Sequence, residues 1–285
     1  MNIGVNFFGP KIKLYKDFDG TLQCLKNIGI NSAEICVAFT GAGEPPKELN
    51  LQIPPEVLKQ MKGGIWDFED ASARLQQVRA AGLTVVSCHV MMGSPEPELL
   101  SGLTQRLCAF ASENDIKYYV ISLMQGLEGM KAYREVLENL SAELKAVGVT
   151  LCYHNHDAEC IYENCGKDSM TALDYILTEC PDLKLELDVG WAKYAGADPI
   201  KLMKQYKDRI ALLHFKDIRA DASPENRDTC FTAVGEGSIP LKDILSEASN
   251  CPALDEYGLI IDQDDSITDI LDDLAIGAEN IRKNV

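Results

Sequence analysis

The chain holds four histidines, and each one sits at or beside the end of a short apolar run. His89 closes LTVVSCH, His154 and His156 close VTLCYHNH, and His214 closes RIALLH. Asp188 closes LKLELD and Asp262 closes YGLIID in the same way, with Asp264 just behind. In open or closed parallel α/β folds, ligands bind at the carboxyl ends of the strands. Imidazoles and carboxylates gathered there have the chemistry of a divalent-cation site. Mixed nitrogen and oxygen ligation suits Mn²⁺, Zn²⁺, Co²⁺ or Fe²⁺ better than Ca²⁺. His154 and His156 lie two residues apart, so both project to one side if the strand continues, and Asn155 points away. One of the two is then free to meet a substrate while the other holds the ion.

The elements that must position these residues alternate along the chain. Short β-rich runs fall at 2–7, 32–38, 83–89, 117–123, 149–154, 183–188, 210–215 and 257–262. Amphipathic helical patterns at 17–28, 68–81 and 128–147 end at Gly29, Gly82 and Gly148, which fit left-handed helix terminators. Further helical patterns at 168–179, 199–207, 240–249 and 267–283 complete the series. Eight alternations at about 35 residues each are the arithmetic of a (β/α)8 TIM barrel, read as a single domain over 1–285. A doubly wound open sheet fits less well, because the first turn, GVNFFGP, lacks the GxGxxG pattern. Two long connections, 39–67 and 218–239, follow strand carboxyl ends and read as substrate-binding lids.

Composition narrows the partners. The 285 residues include 44 acidic and 27 basic side chains, a formal net charge of −17. That field repels phosphate backbones and anionic membranes, so the expected partner is a small molecule, with no nucleic acid and no membrane. The ten cysteines form no CxxC pair and several lie in apolar runs, at Cys36, Cys88, Cys108 and Cys152. They read as reduced, core-filling thiols. The start, MNIGVNFFG, lacks a signal-peptide pattern, and no apolar run reaches the roughly 18 residues of a spanning helix, so a cytoplasmic protein is expected.

Four segments carry a more specific likeness. YHNHD (153–157), LELDVGWAKYAGADP (185–199), RIALLHFKD (209–217) and FTAVGEGSIP (231–240) resemble the sugar phosphate isomerase/epimerase superfamily, the xylose isomerase-like TIM barrels. Within it they most resemble the inosose dehydratase-like branch. The resemblance implies a divalent metal (Mn, Co, Zn, Mg or Fe) held by His154, Asp188, His214 and Asp262. Many epimerases of the superfamily carry Glu at the fifth- and eighth-strand positions, where this chain has His154 and Asp262. In those enzymes the two Glu ligands are also the acid–base pair, so that particular mechanism does not carry over.

The implied activity is a metal-dependent isomerization or epimerization of a keto-sugar or cyclitol through an enediolate. The close alternative is an inosose-type dehydratase or related lyase. A second alternative is a degenerate, metal-free barrel acting as a binding subunit. His156, Glu34 and Asp264 are the candidate acid–base groups, with Glu34 read as the strand-end carboxylate of AEICVA. Lys216 could hold an oxyanion, and His89, Trp191 and Glu236 are the candidate substrate contacts. No phosphate-binding cup is visible, which leans towards an unphosphorylated substrate. Members of the superfamily often form dimers or tetramers, so a homo-oligomer is also implied.

Overall fold

Eight of the apolar runs become parallel strands that close on themselves. The computed structural model describes residues 2–38, 55–91, 96–165 and 168–285. The barrel strands are β1 (Gly4–Asn6), β2 (Ser32–Ala38), β3 (Thr84–Met91) and β4 (Tyr118–Ile121). They continue with β5 (Thr150–His154), β6 (Lys184–Asp188), β7 (Ile210–Phe215) and β8 (Leu259–Ile261). Each pairs in parallel with the next, and β8 returns to β1 through Gly4 opposite Ile260. The result is the (β/α)8 barrel that the alternation predicts.

The helices form because their apolar residues recur every three or four positions. In the helix Leu127–Ala146, Leu127, Met130, Tyr133, Leu137, Leu140 and Leu144 are all buried against the strands. Gly29, Gly82 and Gly148 take φ of 83°, 83° and 81°, the left-handed conformation that returns the chain to the next strand.

Some boundaries differ from the sequence pattern. Residues 168–171 are a strand, Asp168–Thr171, paired with Tyr162–Cys165. The following helix starts at Ala172, because Thr171 and Asp174 form a reciprocal capping box. The helix Thr104–Asn114 has no counterpart in the sequence reading. Of the connection 39–67, residues 39–54 lie outside the described residues. The remainder is a helix, Pro55–Met61, and a short strand, Ile65–Asp67, added to β2. Among the described residues no helix is long and apolar enough to cross a membrane.

The two-residue period of each strand sets what faces the barrel axis. Val120, Cys152, Leu212 and Ile260 form a buried apolar plug. One step further along the same faces come His154, His214 and Asp262. Backbones pack tightly here: a side chain at Gly190 would bring its Cβ to 2.4 Å from the Lys216 carbonyl oxygen. Gly190→Ala is therefore expected to lower stability by about 1–3 kcal/mol, read from urea unfolding.

Candidate active site

One nitrogen or oxygen atom from each of His154, Asp188, His214 and Asp262 lies within 4.8 Å of the other three, and all four residues are buried. Asp188 ends β6 and caps the next helix, its Oδ1 accepting the Trp191 N–H at 2.7 Å. Its Oδ2 has no hydrogen-bond partner and stands 4.0 Å from His154 Nε2. Asp262 Oδ2 accepts from Lys216 Nζ at 2.8 Å and faces His214 Nδ1 at 3.3 Å, while its Oδ1 is unpartnered. Burial pushes the Asp188 carboxyl up to about 7, against the pull of Lys216. Burial alone would raise Asp262 as well, but Lys216 and His214 hold it well below the usual carboxylate range. Buried carboxylate oxygens without partners are costly, and two of them beside two imidazoles form the donor set of a divalent cation. The residues fit such an ion.

Beneath the quartet lies a buried layer in which sequence reasoning missed Glu186. Glu186, fully buried on β6, approaches His154 Nδ1 with Oε2 at 2.9 Å and His214 Nε2 with Oε1 at 3.2 Å. Glu34 lies 3.0 Å from the same His214 nitrogen. Glu34 also accepts from Asn6 Nδ2 and Ser87 Oγ, both at 2.6 Å, and faces His89 Nδ1 at 3.3 Å. Burial favours the neutral form of both glutamates. The His214 and His89 imidazoles overcome it at Glu34 and hold that carboxyl low. At Glu186, burial and then the Glu34 charge push the carboxyl high. Burial alone would lower His214, but Glu186 and Glu34 raise it well above an ordinary imidazole. His154 goes the other way, held low by burial and by the neighbouring imidazoles.

Above the quartet opens a cavity of about 380 Å³, within the range of small-molecule sites. His154 and Asp262 form part of its lining, with His89, His156, Trp191, Lys216 and Asp264 around them. The His156 ring lies 4.9 Å from His154 and 5.5 Å from Trp191, and its Nδ1 is unpartnered. Burial, then the Lys216 charge, lowers His156 to about 3. Lys216 is almost fully buried, ion-paired with Asp262 and Asp264 and lying 4.8 Å over the Phe231 ring. The connection after β7 supplies Arg227, which bridges to Asp157 at 2.5 Å and stacks 4.4 Å over Trp191.

The sequence-derived candidates thus separate into three groups. His154, Asp188, His214 and Asp262 converge, and His89, His156, Trp191, Lys216 and Asp264 surround the cavity above them. Two candidates stand elsewhere. Glu34 is not a strand-end carboxylate. It is the third residue of β2, fully buried and enclosed by Asn6, Ser87, His89 and His214, and it does not line the cavity. Glu236 is exposed and accepts from Asn280 Nδ2 at 3.0 Å, away from the cavity. Its turn is drawn inward by Asp217, whose carboxylate accepts the N–H groups of Gly235, Gly237, Ser238 and Ile239. Glu186 had one sequence signal: it lies two residues before Asp188, so strand period alone puts both on one face. Arg227 and Asp157 had none, since they meet across 70 residues.

Comparison with known proteins follows the same lines. Over 121 residues the chain is 29% identical to an inosose dehydratase of Lacticaseibacillus casei, 38% of this chain and 39% of that protein. The chain thus matches about two fifths of the length of such curated relatives. A sugar phosphate isomerase/epimerase from Parabacteroides distasonis shares the fold with a TM-score of 0.74, at 18% identity, over 100% of this chain and 95% of that one. An IolI protein with a bound zinc atom superposes with a TM-score of 0.65, at 14% identity, over 100% and 98% of the two chains. Residues 55–250 match the model of the xylose isomerase-like TIM barrel, and the chain belongs to that family.

Proposed function

We propose that this protein is a divalent-metal-dependent dehydratase of an uncharged keto-cyclitol or keto-sugar, removing water next to a ketone. The observation that carries the reading is the buried His154, Asp188, His214 and Asp262 quartet, with unpartnered oxygens on both aspartates, beneath a cavity of substrate size. These four residues would hold the ion. When bound, such an ion polarises a carbonyl and its neighbouring hydroxyl and so acidifies the adjacent C–H. The zinc in the IolI protein and the inosose dehydratase relatives support the same reading.

The chain's own residues supply the proton handling. His156 stays neutral at physiological pH, and its unpartnered Nδ1 can accept the proton from carbon. On the other wall, Lys216 and Asp264 share a hydrogen bond beside Asp262. Lys216 can carry positive charge to an oxyanion, and Asp264, whose carboxyl burial pushes up, can deliver a proton to the departing hydroxyl. The C–H electrons form the carbon–carbon double bond, the β-hydroxyl leaves as water, and the product is an enol of a 1,2-diketone. Trp191 and Phe231 give the cavity an aromatic wall. The two cations of its described lining, Lys216 and Arg227, are both held by carboxylates. No free cation there awaits a phosphate, which supports an unphosphorylated substrate.

A second reading, isomerization or epimerization, draws on the same arrangement. Proton-handling groups on two walls could return the proton to another carbon or to the opposite face. Incubation with a keto-inositol separates the readings. Elimination is expected to produce a new ultraviolet absorbance and a mass loss of one water, whereas isomerization leaves the mass unchanged.

Metal content tests the site itself. About one Mn, Zn, Co or Fe per chain is expected by elemental mass spectrometry, lost in both Asp188→Ala and His214→Ala. A protein that stays metal-free after soaking in Mn²⁺ would sink the reading and favour a binding subunit.

His156 is tested in two ways. His156→Gln is expected to lower kcat by about 10²-fold or more while the metal is retained. Its pH signature concerns stability. A folded-state value of about 3 lies below that of the unfolded imidazole, so below roughly pH 6.5 the unfolded state takes the proton first. Stability is therefore lost as pH falls from about 6.5 towards 3. Between pH 7 and pH 5 the wild type should lose up to about 2 kcal/mol more than His156→Gln in urea unfolding.

A further inference from the structure

Glu186 does not line the cavity above the quartet and is fully buried, yet its carboxyl group approaches both imidazoles of the quartet. Oε2 shares a 2.9 Å hydrogen bond with His154 Nδ1, while Oε1 comes to 3.2 Å from His214 Nε2 without hydrogen-bond geometry. In each ring the nitrogen that meets Glu186 is the one turned away from the aspartates. His154 offers Nε2 towards Asp188, and His214 offers Nδ1 towards Asp262. Glu186 and Asp188 also share a strand and a face, two residues apart, so one strand carries both a quartet member and the carboxylate behind its partners. Glu34 backs His214 from the far side at 3.0 Å and is itself pinned by Asn6 and Ser87.

We propose that Glu186 is a positioning residue for metal binding: its Oε2 fixes the ring orientation and tautomer of His154 through a hydrogen bond, and its Oε1 packs against His214 Nε2, so that each ring turns its other nitrogen towards one ion. The inference rests on the metal-dependent reading above. A carboxylate behind a metal-binding imidazole normally serves one ring. Here one side chain stands behind two rings, hydrogen-bonded to the first and packed against the second, so its loss should disturb half the donor set. Glutamine keeps the volume of Glu186 but has a single acceptor oxygen, so its amide nitrogen must stand against one of the two rings.

The test is the affinity of the full chain for Co²⁺ and Zn²⁺, measured by competition with a chromogenic chelator, with the visible spectrum of the Co²⁺ form alongside. Glu186→Gln is expected to weaken both affinities about 10–100-fold and to change the Co²⁺ spectrum, with stoichiometry held at one ion per chain. If Glu186→Gln does not fold, Glu186→Asp carries the same readout, since it keeps the charge and withdraws the oxygens by one methylene. Unchanged affinity and spectrum in the variant would overturn the positioning role. So would two ions per wild-type chain with one lost in the variant, because Glu186 would then be a ligand itself. A wild type that binds neither ion would overturn the metal-dependent reading together with this one.

Discussion

Mutual neutralization in the middle of the barrel is the constraint on which the site depends. Glu34, Glu186, His89, His154 and His214 are packed above an apolar plug and away from solvent. A charge in such a place costs several kcal/mol unless another group matches it. The groups therefore set one another's state. Glu34 is held ionised by His214 and His89, and that charge is one of the causes that push Glu186 the opposite way. His214 lies between them, and its far nitrogen faces Asp262. Orientation passes upward from this layer to the quartet, and from the quartet through Asp262 to Lys216 and Asp264 at the cavity wall.

The mouth is built by a second use of a buried carboxylate. Asp217 follows Lys216 directly and accepts five backbone N–H groups, from Ile218, Gly235, Gly237, Ser238 and Ile239, at 2.9–3.1 Å. Both ends of the connection after β7 are thereby tied to one side chain. A short antiparallel pair, Asp217–Ile218 with Phe231–Thr232, braces the same base. The middle of the connection is then long enough to carry Arg227 across to Asp157, behind β5, and to stack it on Trp191. Arg227 is thus both part of the cavity wall and a bridge between two loops that the fold alone would leave independent.

Much of this was legible in the residues. The eight strands follow from short apolar runs separated by helical periodicity, and Gly29, Gly82 and Gly148 end their helices as their position predicts. His154, Asp188, His214 and Asp262 stand out because ligand-type side chains close four successive strands. What failed did so for identifiable reasons. Glu34 reads as a strand-end carboxylate, but it is the third of the seven residues of β2, and its side chain turns inward to Asn6 and Ser87. Glu236 lies in a glycine-flanked turn whose direction is set by Asp217, a residue nearly twenty positions earlier. The helix Thr104–Asn114 packs against the helices Phe68–Ala80 and Leu127–Ala146, with Phe110 edge-on to Phe68 at 4.9 Å, contacts that its own stretch of chain does not contain.

By itself, then, the sequence determined the alternation of elements, the closed parallel architecture and the identity of the strand-end imidazoles and carboxylates. Each of these rests on local periodicity and side-chain chemistry, which a single stretch of chain contains. Depth and partnership were decided only by the tertiary structure. Whether a carboxylate faces water or an imidazole depends on the stagger between strands, and that stagger is set by long-range pairing. The register of β2 against β3 shifts between Ala33 and Glu34, and from there Glu34 lies opposite Ser87 in the barrel interior. Glu186 meets His154 across one strand pair, and His214 lies across the next. No local pattern encodes those distances, because closing the barrel is what creates them.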